Sequence, residues 1–222
     1  MSNTLNEKSV SRIVATGLAA VTVIVFTQSV TDPVNVTKLF VLGGFAFAAF
    51  GASAKLFSKE FFRKFKLPII SVGIFSAAAV STLISSSAPF VQSFYGAYGR
   101  NNGFLLYFLL ALLFIATLTI QSQSLFRALL VALGFAGGVN VIYALWVLAF
   151  GDFVGWNNPY GNLLGTLGNP NFIGSFFGMF SVLPFALIVA PKTSKQIRIV
   201  SFLLIPFVFL GIIQSHAVQG KV

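Results

Sequence analysis

Seven apolar runs follow one another along this chain with only short polar connections, at residues 13–30, 36–54, 68–87, 104–120, 126–150, 172–190 and 199–215. Each has roughly the 20 residues that a helix needs to cross a hydrocarbon core. The expected fold class is therefore all-α: a polytopic transmembrane helix bundle of about seven spans, with residues 1–222 forming a single transmembrane domain. Hydrophobic residues at 57% and charged residues at 8% exclude an ordinary water-soluble domain. Seven spans in 222 residues leave no room for a globular extramembrane domain, so soluble enzyme folds are excluded too. The chain has no cysteine, which removes disulfides, thiolate chemistry and iron–sulfur ligation. Small residues recur inside the runs, where they let helices approach closely, and Gly174 and Gly178 share one helix face as a packing spacing.

The charges are few and unevenly placed. Lys8 and Arg12 precede the first run; Lys55, Lys59, Arg63, Lys64 and Lys66 follow the second; Arg127 follows the fourth; Lys192, Lys195 and Arg198 follow the sixth. Eleven of the 14 cations thus fall in alternate connections, and the positive-inside rule makes that side cytoplasmic. The N-terminus is expected inside and the C-terminus outside, with the first run a retained anchor in place of a cleaved signal peptide. This placement explains the net charge of +10 without a nucleic-acid partner. Residues 55–66, KLFSKEFFRKFK, read as a topological determinant or as a short interfacial helix with its cations toward anionic lipid.

Sorting the charges leaves a short list for the outer side: Asp32, Lys38, Arg100, Asp152, His216 and Lys221. Lys38, at the edge of the second run, is either a snorkelling cation or a site residue. Arg100 sits in the Gly- and Tyr-containing loop 95–103, and its planar, permanently charged fork suits a phosphate or diphosphate. Residues 151–171, GDFVGWNNPYGNLLGTLGNPN, form a polar stretch between two very apolar runs. Asn169 is a favoured N-cap and Pro170 fits the first helical position, so the sixth span should begin there with its positive dipole end at the outer surface. That end is either a plain cap or an anion site. Tyr95, Tyr98, Trp156 and Tyr160 read as interfacial aromatics. His216, the sole histidine, and Asp152 are candidate proton acceptors, although Asp152 also reads as a helix end. Asn140 and Gln28 read as interhelical hydrogen-bond partners. Neither a Walker loop nor HExxH occurs, and scattered aspartates make a poor divalent-metal site, so metal-independent chemistry without a cofactor is expected.

Residues 158–174, NPYGNLLGTLGNPNFIG, resemble the signature of the O-antigen ligase and O-antigen polymerase superfamily, in which a GTLGNPN-like stretch opens a transmembrane helix. YGRNNG, with Arg100, is similar to the family's outer-loop Arg-x-x-Gly, and Asp32-Pro33 followed by Lys38 resembles its Asp-Pro to Lys approach to the second span. QSHAVQG, with Ser215 and Gln219, is a looser likeness. The resemblance covers roughly residues 32 to 220. It departs from the family at Asn162, Leu163 and Leu164, where relatives often carry a basic residue.

The resemblance implies a glycosyltransferase of the cytoplasmic (inner) membrane that moves a glycan from a polyprenyl diphosphate carrier to an acceptor glycan or protein on the outer side. Carried onto this chain, it assigns Lys38 and Arg100 to the diphosphate. Gly165, Thr166, Gly168, Asn169, Pro170 and Asn171 would shape the substrate site, and His216 and Asp152 are the candidate bases. Family members have more spans and a large outer loop in their second half, so the resemblance implies that residues 1–222 are the N-terminal portion of a larger domain and are not competent alone. The alternative is a transporter or channel subunit whose substrate path is lined by the Gly/Asn/Pro-rich loop.

Overall fold

The computed structural model describes residues 2–25, 34–97, 99–155, 158 and 161–217. Every regular element among them is helical. In chain order these are α1 (Ser2–Val23), α2 (Asn35–Ser53), α3 (Lys59–Lys64), α4 (Lys66–Ser85), α5 (Phe90–Tyr95), α6 (Phe104–Leu118), α7 (Ser124–Phe150), α8 (Pro170–Val189) and α9 (Lys195–Ser215), with 3₁₀ turns at Ala54–Leu56 and Gly165–Leu167. Among the described residues, five helical stretches are long and apolar enough to cross a membrane: Asn35–Leu56, α4, α7, α8 and α9. Helix α6 is apolar but shorter, at 15 residues. The first expected run ends as helix at Val23, and residues 26–33, with Gln28 and Asp32, lie outside the described part.

The chain divides into two compact units: residues 1–21 with 35–129, and residues 22–34 with 130–222. In the first unit, Val10 and Val14 of α1, Leu39, Leu42 and Ala46 of α2, and Leu109 and Leu113 of α6 form the core. Their three- and four-residue spacing sets one stripe of each helix inward. Gly17 lets α1 approach α2, since a Cβ there would stand 2.6 Å from the Phe45 side chain. Helix α4 has no buried residue at all and touches α6 through the edge-on ring pair Phe75–Tyr107. Apolar surface of that extent is stable against hydrocarbon and not against water.

In the second unit α8 and α9 pack along their length, and Val141 and Ala144 of α7 share a core with Phe177 and Phe180 of α8. Glycines on one helix receive rings from another. A Cβ at Gly211 would lie 2.5 Å from the Phe177 ring, and one at Gly137 would lie 2.1 Å from Phe180. Gly174 meets Ser215 Oγ and Ala217 Cβ at the head of α8, so the packing role expected of it holds. Without a hydrophobic drive between helices in lipid, such close approach is what dispersion forces require.

Candidate functional site

In the first unit, Arg100 rides on a loop whose base is closed by backbone against backbone. A Cβ at Gly96 would lie 2.2 Å from Asn102 N, and one at Gly103 would lie 2.3 Å from Gly96 N, so only glycine fits either position. The Arg100 and Asn101 amides both donate to Ala97 O at 3.0 Å, and Asn35 Nδ2 donates to Gly99 O at 2.7 Å. The loop is thereby fastened to the first turn of α2, the helix that carries Lys38. The Arg100 side chain itself is exposed.

Lys38 is half-buried and has a local task. Its Nζ donates to Val21 O at 2.5 Å, one of the last carbonyls of α1. Those carbonyls have no partner within their own helix, and the C-terminal end of the helix dipole favours a cation. Neither snorkelling nor ligand binding includes this bond; sequence reasoning missed it because α1 and α2 first meet in the fold.

The second unit holds the remaining candidates. Gly165 and Thr166 are buried, and Thr166 is locked: its amide donates to Asn140 Oδ1 at 3.0 Å, and its hydroxyl lies 2.9 Å from the same oxygen and 2.8 Å from Thr22 O. Asn140, fully buried in α7, returns its Nδ2 to Ala136 O at 3.0 Å. Asn140 thus bonds to its own helix and to a 3₁₀ turn, and not to another helix as expected. Gly165 has φ +58, and a Cβ there would strike Ile173 and Asn140 Oδ1. The GTL segment is therefore a buried clasp on α7.

Beyond the clasp the chain emerges. Gly168, Asn169 and Pro170 are half-buried and Asn171 is exposed. Asn169 caps α8 as the sequence indicated, its side chain accepting from Asn171 N at 2.9 Å, with Pro170 in the first turn. Few amides at this end are left for an anion. Asn171 N is used by the cap, Ile173 N donates to Asn169 O at 3.0 Å, and proline has no N–H. An anion there would be held by the dipole and the Phe172 amide.

His216 follows α9 in a left-handed conformation, φ 53, and its ring is exposed. Its neighbours Ser215 and Ala217 pack on Gly174, and Leu163 N donates to Gln214 O at 3.0 Å. The fold therefore brings His216 to the same end of the second unit as the head of α8. Asp152 does what a helix-ending carboxylate does: its Oδ1 accepts from Tyr143 OH at 2.5 Å and from Val154 N at 2.9 Å. Tyr98, Trp156, Tyr160, Gln219 and Lys221 lie outside the described residues. No protein-family model, curated protein or solved structure matches the chain.

Proposed function

We propose that this chain is part of a membrane glycosyltransferase of the O-antigen ligase or polymerase type, with seven spans, its N-terminus in the cytoplasm and its C-terminus outside. A glycan passes from a polyprenyl diphosphate carrier to an acceptor hydroxyl on the outer side of the cytoplasmic membrane. The hydroxyl oxygen attacks the anomeric carbon, the bond from that carbon to the diphosphate oxygen breaks, and the diphosphate departs with the electron pair. The resemblance gives Arg100 of the first unit to the charge that gathers on the leaving diphosphate; in the second unit His216 is the candidate for the proton released by the acceptor. Lys38, tied to α1, serves the frame of the first unit more directly than the ligand. Asp152, already accepting two hydrogen bonds, is the weaker base.

The observation that supports this reading best is the polar junction at the head of α8. A capped helix start and the sole histidine gather at the head of α8, beside a buried clasp on Asn140 in the interior of α7. Packing alone would be served by apolar residues there. The test is Arg100→Lys in the intact protein, which keeps the charge but loses the fork: glycan transfer should fall about tenfold or more at unchanged membrane level. Transfer at the wild-type rate removes Arg100 from the site.

A further inference from the structure

Three stretches far apart in sequence meet at one end of the first unit. Lys64 Nζ donates to Gln121 Oε1 at 2.6 Å. Glu7 Oε2 accepts from the amides of Gln121 at 3.3 Å and Ser122 at 3.1 Å. The hydroxyls of Ser11 and Ser124 lie 2.8 Å apart. These bonds gather the first half of α1, the α2–α4 connection and the α6–α7 turn onto one surface.

That surface is cationic. Lys55, Lys59, Arg63, Lys64 and Lys66 come from the α2–α4 connection, and all are exposed. Lys8 and Arg12, each next to a residue that makes one of these bonds, and Arg127, one turn beyond Ser124, are exposed as well. Of the two carboxylates nearby, Glu7 is occupied by two backbone amides and Glu60 sits in the first turn of α3, where it favours the helix dipole. Gathering so many like charges is unfavourable unless an anion offsets it.

The apolar side of the same connection indicates which anion. Phe61 is buried, and Phe57 packs its ring against Phe50, Phe61 and Phe62 at centroid distances of 5.6, 5.3 and 6.0 Å. Phe62 and Leu67 remain open, 53% and 75% exposed. The connection joins Asn35–Leu56 to α4, two stretches long and apolar enough to cross a membrane, a placement that would set its cations and open apolar groups at the boundary between water and hydrocarbon. A six-residue helix would not persist alone; Ser58 capping Phe61 N at 3.1 Å and the Phe61 anchor hold α3 in place.

We propose that this end of the first unit is a binding site for the phosphodiester headgroups of anionic phospholipid, with Lys59, Arg63 and Lys66 as the headgroup contacts, Lys64 positioned by Gln121, and Phe62 and Leu67 against the acyl region. The inference is independent of the glycosyltransferase reading. The purified chain, held in neutral detergent at physiological salt, is offered phosphatidylglycerol or phosphatidylcholine of matched acyl chains, and bound lipid is counted by native mass spectrometry. The wild-type chain should retain phosphatidylglycerol preferentially. Because each surface cation contributes about fivefold to attraction by an anionic surface, replacing Lys59, Arg63 and Lys66 together by Gln should reduce that retention by up to about a hundredfold. Replacing Lys192, Lys195 and Arg198 by Gln removes equal charge from the second unit and should reduce retention about tenfold less, since it leaves the gathered surface of the first unit whole. Equal retention of the two lipids by the wild-type chain overturns the proposal, whatever the variants do. Equal losses in the two triple variants also overturn it, reducing the effect to net charge. So does unaltered retention by a Phe62→Ser, Leu67→Ser variant that a soluble polyphosphate displaces completely, which would make the surface a general polyanion site.

Discussion

At Thr166 a single residue carries three relations: its amide and hydroxyl meet Asn140 Oδ1, and its hydroxyl also lies beside Thr22 O. Buried polar groups are costly when unpaired, and less so when both partners are absent. Asn140→Leu should therefore be the more damaging of two changes, because it strands the Thr166 amide in the core and costs about 1–3 kcal/mol. Thr166→Val keeps that amide on Asn140 and should cost less. Thermal unfolding of the two variants in one detergent checks the order, and equal or reversed losses would deny the clasp its role. A sequence reading can flag Asn140 as a polar residue in an apolar run. It cannot name the partner, because Thr166 is 26 residues away in a segment without helical periodicity. Lys38 is a second case: its polarity in an apolar run is visible, whereas the Val21 carbonyl it bonds is exposed only because α1 ends where it does.

Among the elements, the pairing of α8 with α9 depends on shape. The Phe177 ring occupies the space that a side chain at Gly211 would need. Gly211→Val should overpack this contact and destabilise the chain by about 1–3 kcal/mol. Phe177→Leu alone leaves a void, yet in combination with Gly211→Val it should recover part of the loss, a coupling of about 0.5 kcal/mol or more. Strictly additive melting shifts across the four proteins would show that ring and glycine do not compete for the same space. Apolar runs, the Asn169 cap and the Pro170 start were legible because they depend on neighbours within a turn. Helix α5 and the Gly165–Leu167 turn were not, being short and held by contacts that tertiary packing supplies.

For the whole molecule, the proposed topology rests on charge placement. With no native cysteine, single cysteines can be introduced without background. In cells, Asn102→Cys and Gly155→Cys should react with a membrane-impermeant maleimide, whereas Glu60→Cys and Thr193→Cys should react only after lysis. A pattern in which Asn102 and Glu60 label from the same side would contradict the proposed orientation and the passage of α4 across the membrane.

The linear chain by itself determined the solvent this protein needs, the helical class and where its longest helices lie. Those properties follow from hydrocarbon's demand that every backbone polar group be satisfied within its own segment, a demand that about 20 consecutive apolar residues meet. Only the tertiary structure decided what the isolated polar residues do. It committed Lys38 to a helix end, Thr166 to a buried clasp and Asp152 to Tyr143, and it joined Lys64, Gln121 and Glu7 in one cationic surface. A hydrogen bond depends on which atoms meet within about 3 Å, and for residues this distant in sequence only packing sets that.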